Sequence, residues 1–177
     1  MKDTDAAWLA GLLDGEGSYM IRRAVVRGYE RWEAVISMST TDGVLPFRAK
    51  EIAGGYVSGP TNPKAPNARP AHIWTLKDKA IGPTIEELWP YIVLKRPQAA
   101  LLHALRSVTR SGARPGQKGV LAMTATERYR RETMRLACRA LNHRGMEQMP
   151  EELWLGLESA KLLSLIRAPR LDRTATG

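Results

Sequence analysis

Apolar residues recur at helical spacing near the start of the chain, in the stretch WLAGLLDGEGSYMI over residues 8–21. The pattern predicts a helix over 6–14, with Asp5 as its N-cap. We expect its apolar side to lie in the core, and this side consists of Trp8, Leu9, Leu12 and Leu13. This helix is followed by DGEG, residues 14–17, whose two acids and second glycine are not needed to end a helix, because one glycine cap would do so.

Alternation of apolar and polar residues comes next, which is typical of strands with one buried face. Residues 18–27 and 31–39 predict two strands joined by a turn at Gly28-Tyr29. Residues 56–61 and 71–77 predict a second hairpin, whose long loop is rich in proline and asparagine. Both hairpins belong in one antiparallel sheet.

Helical patterns account for most of the rest. A helix is predicted from Thr41 or Asp42 to the Gly54-Gly55 pair, and a short one around 85–89. Three further helices are predicted. The first has Pro97 in its first turn, the second runs from a Thr124/Glu127 capping box to about Leu141, and the third covers 150–166. The fold class is therefore α+β, with one domain over 1–145 and a C-terminal helix with a flexible tail over 146–177.

Charge is the most informative feature of the composition. The chain of 177 residues carries a formal net charge of +9. Residues 95–144 hold 12 Lys/Arg and 2 Glu, whereas the remaining residues are nearly balanced with 15 basic and 16 acidic. This concentrated excess favours a polyanionic partner, although a solvated helix face is the simpler alternative. We expect no membrane span, and the single cysteine, Cys138, indicates a reducing compartment.

Small residues form a second face on the first helix. Ala7, Gly11 and Gly15 recur every fourth position, so they share one side and allow another backbone to approach closely. Asp14 and Glu16 lie at the negative end of this helix, where carboxylates are unfavourable without a cation. The pattern predicts a helix with one face for its own core and one for a second copy of the chain.

The stretch LAGLLDGEG, Leu9 to Gly17, resembles the signature of the LAGLIDADG homing endonucleases. Supporting similarities are Thr41-Asp42, EIAGGYV before the third strand, Trp74 in the fourth, and PYIVLKRPQA at 90–99. The resemblance covers about residues 5–145. It implies the αββαββα fold with a saddle-shaped antiparallel sheet, followed here by C-terminal helices. Because the motif occurs once, it also implies a homodimer that makes a double-strand break with short 3′ overhangs in a long pseudo-palindromic DNA.

The resemblance also implies the roles of individual residues. Glu16 is the metal-binding acid, the carbonyl of Gly15 is a further ligand, and these hard oxygen donors suit Mg²⁺, with Mn²⁺ able to substitute. Lys95 corresponds to the family's active-site lysine. Ser37 stands where the family often has an amide that orders water, so that role is weaker here. We expect Asp14 to be structural rather than a ligand.

Double-stranded DNA is the expected partner of the sheet. The predicted contacts are Met20, Arg22, Ala24 and Val26 from the first strand, Arg31, Glu33 and Val35 from the second, and Thr75 and Lys77 from the fourth. Arg23 and Arg27 fall on the opposite face, which a bulge or strand-end exposure would explain. Lys64, Arg69 and the segment 106–118 are expected to bind phosphates. Five arginines could also do so or could lie on a solvated helix, namely Arg128, Arg130, Arg131, Arg135 and Arg139.

Two other functions use the same fold. One is an RNA-binding maturase that helps its host intron to splice, and the other is a DNA-binding regulator. Regulators of this kind tend to lose the acids, whereas Glu16 and Lys95 are both present. We expect a cytoplasmic protein of bacterial or phage origin, with an organelle as the alternative.

Overall fold

Four antiparallel strands form one sheet in the order β1-β2-β4-β3. The computed structural model describes residues 1–26, 28–61, 69–109, 123–144 and 149–164. Helices lie before, between and after the two hairpins, which confirms the predicted α+β order. The elements are α1 (Asp3–Glu16), β1 (Gly17–Val26), β2 (Tyr29–Thr40), α2 (Val44–Ala53), β3 (Tyr56–Ser58), β4 (His72–Lys77), a 3₁₀ turn (Asp78–Ala80), α3 (Ile81–Leu88), α4 (Arg96–Thr109), α5 (Ala125–Arg144) and α6 (Glu151–Ser159).

The first helix is longer than its apolar pattern predicts. It begins at Asp3, and its N-cap is Lys2, whose side chain makes no capping hydrogen bond. The prediction that Asp5 is the N-cap is wrong, because Asp5 lies inside the first turn. There its carboxylate interacts favourably with the positive end of the helix dipole and accepts a 2.7 Å hydrogen bond from Arg48 of α2.

The buried side of α1 also differs from the prediction at one position. Ala6, Leu9, Ala10 and Leu13 are fully or almost fully buried, whereas Trp8 is 36% exposed. At about 100° per residue, position 8 lies about 100–160° around the helix from these four positions, so the small Ala6 and Ala10 face inward and the large indole does not. The expectation that Trp8 is a core residue is therefore wrong.

The sheet has one face toward the hydrophobic core and one face away from it. Pairing of β1 with β2 is continuous from Gly17↔Met38 to Val26↔Tyr29. We call the face away from the core the open face. Its members are Ser18, Met20, Arg22, Ala24 and Val26 of β1, Tyr29, Arg31, Glu33, Val35, Ser37 and Ser39 of β2, Tyr56 and Ser58 of β3, and Ile73, Thr75 and Lys77 of β4.

Arg23 lies on the core side of β1 without a bulge in the described register. Its guanidinium stands 5.7 Å from the centre of the Trp32 ring and forms an ion pair with Glu30. A second, longer pair at 4.0 Å joins it to Glu132 of α5. Arg23 therefore helps to attach α5 to the end of the hairpin, and Arg27 lies outside the described residues.

Helix α5 covers the outer edge of β1. The amide of Asn142 and the thiol of Cys138 donate to the Tyr19 carbonyl at 2.7 and 3.2 Å. Trp32 Nε1 donates to Glu132 at 3.0 Å. Cys138 is buried, and burial raises the pKa of its thiol to about 12. An otherwise unpaired strand edge is thus protected by a helix.

The later helices follow the sequence signals only in part. The Thr124 hydroxyl accepts from the Glu127 N–H at 3.1 Å, which confirms the predicted cap of α5. This helix continues to Arg144, past the predicted Leu141, and α6 ends at Ser159, well before the predicted 166. Leu157 of α6 lies in the same hydrophobic core as the sheet. In the described part of the chain, no helix is long and apolar enough to cross a membrane.

Candidate metal and DNA-binding site

The chain passes from α1 directly into β1 at Gly17. A Cβ at this position would lie 2.5 Å from the Leu13 carbonyl oxygen and 2.7 Å from the Leu13 Cα, so only glycine permits the close approach. The Gly17 N–H donates to that same carbonyl. Glu16, the last residue of the helix, is exposed where the sheet begins.

Asp14 is buried and has a structural role, as expected. Its Oδ2 accepts from the N–H groups of Val93 at 2.7 Å and Leu94 at 3.2 Å, and its Oδ1 accepts from that of Lys95 at 3.0 Å. These N–H groups immediately precede α4, where the helix dipole favours a negative charge. Both carboxylate oxygens are therefore used to hold residues 93–95 against α1.

Lys95 supplies the cation that the acidic end of α1 requires. Its ammonium donates to the carbonyls of Leu13 at 2.9 Å and Gly17 at 2.5 Å. Partial burial lowers the pKa of Lys95, and the nearby charges of Asp14 and Glu16 oppose this shift. The structure thus brings Lys95 to the same junction as Glu16, although they are 79 positions apart (95 − 16).

Ser37 lies on the open face at this end of the sheet. It pairs with Ser18 of β1, two residues beyond Glu16, and with Thr75 of β4. Ser37 is half-buried in the middle of this row. The predicted catalytic residues Glu16, Lys95 and Ser37 therefore all lie at or next to the α1–β1 junction.

The small-residue face of α1 is exposed along its length. Ala7, Gly11 and Gly15 are all exposed, and a Cβ added at Gly11 or Gly15 would have no neighbour within 4 Å. Glycine in a helix costs about 0.5–1 kcal/mol relative to alanine. Contacts within the described chain thus explain Gly17 but not Gly11 or Gly15.

The oxygen donors at the junction suit a hard divalent cation. Glu16 offers a carboxylate, and the Gly15 carbonyl lies in the last helical turn, whose carbonyls lack intrahelical partners. Such ligands match Mg²⁺ or Mn²⁺ better than zinc. Among the described residues, no three or more His, Cys, Asp or Glu side chains form a metal-binding group.

The open face includes all nine of the strand residues predicted to contact DNA, so the predicted parity is confirmed. Arg22, Val26 and Arg31 are exposed, and Arg31 forms an ion pair with Glu33 at 3.1 Å. The predicted DNA contacts of Val35 and Thr75 are wrong, because these side chains are only 0% and 5% exposed. Both lie in the two central strands, where neighbouring side chains on each side cover them.

Tyr56 is an open-face residue that the sequence reading did not select. It is 46% exposed and pairs with Thr75. The Lys77 ammonium stands 5.6 Å from the centre of its ring. A hydrogen bond to Lys77 is the main cause that lowers the pKa of the Tyr56 hydroxyl. Alternation in the strand YVS puts Tyr56 and Ser58 on one face. The register with β4, in which Tyr56 pairs with Thr75, shows that this is the open face.

The predicted phosphate-binding residues are only partly described. Arg69 is exposed, whereas Lys64 and residues 110–118 lie outside the described residues. Several arginines of α5 are engaged by carboxylates, with Arg128 on Glu30, Arg131 on Glu127 and Arg135 on Glu132. Arg139 is exposed and has no ion pair within the described ranges.

Comparison with solved structures identifies proteins of the same architecture. The homing endonuclease I-CvuI, in complex with its target in the presence of Ca²⁺, superposes with a TM-score of 0.57 at 18% identity, over 90% of this chain and 96% of that one. The archaeal intron-encoded homing endonuclease I-Vdi141I, complexed with DNA, gives 0.63 at 11% identity, over 92% and 99%. The LAGLIDADG meganuclease I-CpaMI, bound to uncleaved DNA, gives 0.54 at 14% identity, over 89% of this chain and 49% of that one.

The chain has the LAGLIDADG homing endonuclease fold. The predicted fold class is thus confirmed, although no protein-family model and no curated protein matches the sequence. This chain covers nearly all of two such proteins and about half of the third. In the LAGLIDADG fold of this chain, the DGEG stretch occupies the junction between α1 and the sheet.

Proposed function

We propose that two copies of this chain form a site-specific DNA endonuclease that makes a metal-dependent double-strand break. One observation carries the proposal. Glu16 is an exposed carboxylate at the end of a helix whose exposed glycines have no role within the described chain, and it borders the open face of the sheet. The comparison proteins that share this fold were solved with DNA.

The homodimer would form through the small-residue face of α1. Gly11 and Gly15 would allow the helix of a second copy to approach closely, which offsets the cost of glycine in a helix. The loop held by Asp14 extends this surface with apolar groups, because Val93 is 57% and Leu94 is 72% exposed. A twofold arrangement would bring the two Glu16 residues together and make the DNA target pseudo-palindromic.

The metal would be held by Glu16 and the Gly15 carbonyl together with phosphate oxygens of the DNA. Mg²⁺ bound in this way supplies a nucleophilic water at neutral pH and stabilises the leaving 3′ oxygen. Mn²⁺ should substitute, because it prefers similar ligands. Two copies of the site would cut both strands and leave short 3′ overhangs.

Lys95 and Ser37 would act beside the metal-binding carboxylate. The Lys95 ammonium is fixed by two carbonyls and retains a further N–H, which can stabilise negative charge on the phosphate undergoing attack. Ser37 can hold a water through its hydroxyl on the open face. Asp14 contributes indirectly by holding residues 93–95 in place.

The open face would follow a groove of the duplex. Arg22, Lys77 and Tyr56 provide polar and charged groups for base edges and phosphates, while Met20, Ala24 and Val26 provide apolar contacts. The predicted contacts through Val35 and Thr75 are not part of the proposal, because these side chains are covered. We further propose a cytoplasmic location, which the single buried thiol of Cys138 suits.

The test uses the DNA on either side of the coding gene. The two flanks are joined into one uninterrupted duplex, which is incubated with the purified protein in Mg²⁺, in Mn²⁺, in Ca²⁺ and in EDTA. We expect specific binding in Ca²⁺ and a double-strand break only in Mg²⁺ or Mn²⁺. Binding without nicking of either strand in any metal would favour the regulator, and preferential binding of the host intron RNA would favour the maturase.

A further inference from the structure

A groove lies between the open face of β1 and helix α5, beside the candidate metal site. Ser18 and Arg22 form its sheet side, and Arg135, Arg139, Asn142 and His143 form its helix side. Its volume is about 360 Å³, against the roughly 10–15 Å³ that a cavity needs to hold one water molecule. Because Ser18 is two residues from Glu16, the groove begins next to the metal-binding carboxylate.

The charge of the groove has one sign. No carboxylate is among the described residues that line it. Arg135 shares its charge with Glu132 at 2.6 Å, but Arg22 and Arg139 are exposed and have no ion pair in the described part of the chain. Two uncompensated guanidinium groups therefore face the groove from opposite sides. Guanidinium binds phosphate oxygens well because its donors form a fixed planar fork.

The spacing of the two sides is fixed by hydrogen bonds. Asn142 donates to the Tyr19 carbonyl of β1 at 2.7 Å and accepts from Gln98 of α4 at 3.4 Å. Gln98 is 7% exposed, whereas Asn142 is exposed, so this link runs from the interior to the rim of the groove. The position of Arg139, one turn before Asn142, is thereby set relative to the open face. Because the helix is fixed, binding of a phosphate needs to order only the Arg139 side chain and not the backbone that carries it.

We propose that this groove binds a backbone phosphate of the DNA strand that leads into the cleavage site, with Arg139 as the principal contact. The proposal rests on the proposed function, because it takes the open face to be the DNA-binding surface. Continuity with that face favours nucleic acid over an acidic protein, since Ser18 and Arg22 belong to both surfaces. Of the five α5 arginines predicted to bind phosphates, three form ion pairs with carboxylates, and Arg139 is the one of the other two that lines the groove.

The experiment measures DNA binding rather than cleavage. Wild type, Arg139→Gln, Arg139→Lys and the control Lys50→Gln are titrated with a labelled duplex of about 30 base pairs in EDTA, at several salt concentrations. Lys50 is an exposed lysine of α2 and does not line the groove. Each lost phosphate contact lowers the salt slope of log K by about 0.9, so a homodimer should lose about 1.8.

In Arg139→Gln we expect weaker binding to every duplex sequence, and roughly a tenfold smaller loss of affinity between 50 and 200 mM salt than in wild type. Arg139→Lys should recover part of the slope, and Lys50→Gln should match wild type. An unchanged salt slope in Arg139→Gln, or an equal change in Lys50→Gln, would contradict the proposal that Arg139 binds a phosphate in this groove. If the protein shows these slopes but never cuts DNA, the phosphate-binding groove is supported and the proposed nuclease function is wrong. If it binds no duplex, both proposals are wrong.

Discussion

At the end of α1, two acids separated by one residue lie in opposite environments. The carboxylate of Asp14 is enclosed by three backbone N–H groups of residues 93–95, whereas that of Glu16 is exposed beside the sheet. At about 100° per residue, positions 14 and 16 lie about 200° apart around the helix, so the two acids point to opposite sides of it. The first acid builds the site, and the second is available to a metal.

Replacement of Asp14 tests this division. Asp14→Asn removes the charge and one acceptor, which leaves buried N–H groups without a full partner. We expect a loss of about 1–3 kcal/mol in the free energy of unfolding, measured by urea denaturation. The matched control is Glu16→Gln, an exposed change expected to stay within about 0.5 kcal/mol of wild type. Wild-type stability in Asp14→Asn together with lost metal binding would make Asp14 a ligand instead.

Lys95 connects the two acids to the reaction. Lys95→Met keeps a long apolar chain but removes the ammonium beside Glu16, so charge on the attacked phosphate loses a stabilising partner. We expect single-turnover cleavage at saturating DNA to fall by about 10²-fold or more. Affinity for DNA should change little, because one charge is a small part of a many-contact interface.

A purely structural role for Lys95 would give a different result. The rate would then fall only in proportion to the fraction of unfolded protein, and thermal unfolding would shift accordingly. Measuring the melting temperature of Lys95→Met alongside the rate separates the two cases. A normal rate at saturating DNA would remove Lys95 from the mechanism.

At the scale of elements, periodicity predicted the faces better than the ends. Alternation placed the open-face residues of β1 and β2 correctly over the full register. The helix pattern placed Trp8 wrongly, because Ala6 and Ala10 are too small to appear as an apolar stripe. Burial within a face was also not predictable, since Val35 is covered by neighbours on other strands. The convergence of Lys95 on α1 depends on a tertiary contact that only the family resemblance indicated.

Substitutions of Gly11 and Gly17 should have opposite effects on the stability of the chain. A Cβ at Gly11 would meet no atom within 4 Å, and leucine is a better helix former than glycine, so Gly11→Leu should stabilise the isolated chain by about 0.5–1 kcal/mol. The same change should abolish the dimer, measured by sedimentation velocity, because the helices can no longer approach. A tight dimer in Gly11→Leu would exclude this interface.

Gly17→Ala provides the contrast. Its Cβ would meet the backbone of Leu13 at 2.5 Å, so the folded chain should lose about 1–3 kcal/mol. This loss should appear when Gly17→Ala and wild type are unfolded in urea at the same protein concentration. The same stability in Gly17→Ala as in wild type would show that the junction between α1 and β1 can relax.

For the whole molecule, the length of the sheet sets the length of the target. Strand β1 has 10 residues. At about 3.3 Å per residue it spans roughly 33 Å, or about 10 base pairs at about 3.4 Å each. Two copies should therefore protect about 20 base pairs in a DNase footprint taken in Ca²⁺. Protection confined to fewer than about 12 base pairs would contradict a homodimer that binds with both sheets.

The central claim is that the exposed carboxylate of Glu16 holds the metal that cuts DNA. The most direct measurement compares wild type and Glu16→Gln on the joined-flank duplex, with cleavage assayed in Mg²⁺ and binding assayed in Ca²⁺. We expect cleavage to fall by orders of magnitude, because the glutamine keeps the shape but loses the metal-binding charge. Binding should persist or tighten, since one anion near the phosphates is removed. Undiminished cleavage by Glu16→Gln would contradict the account.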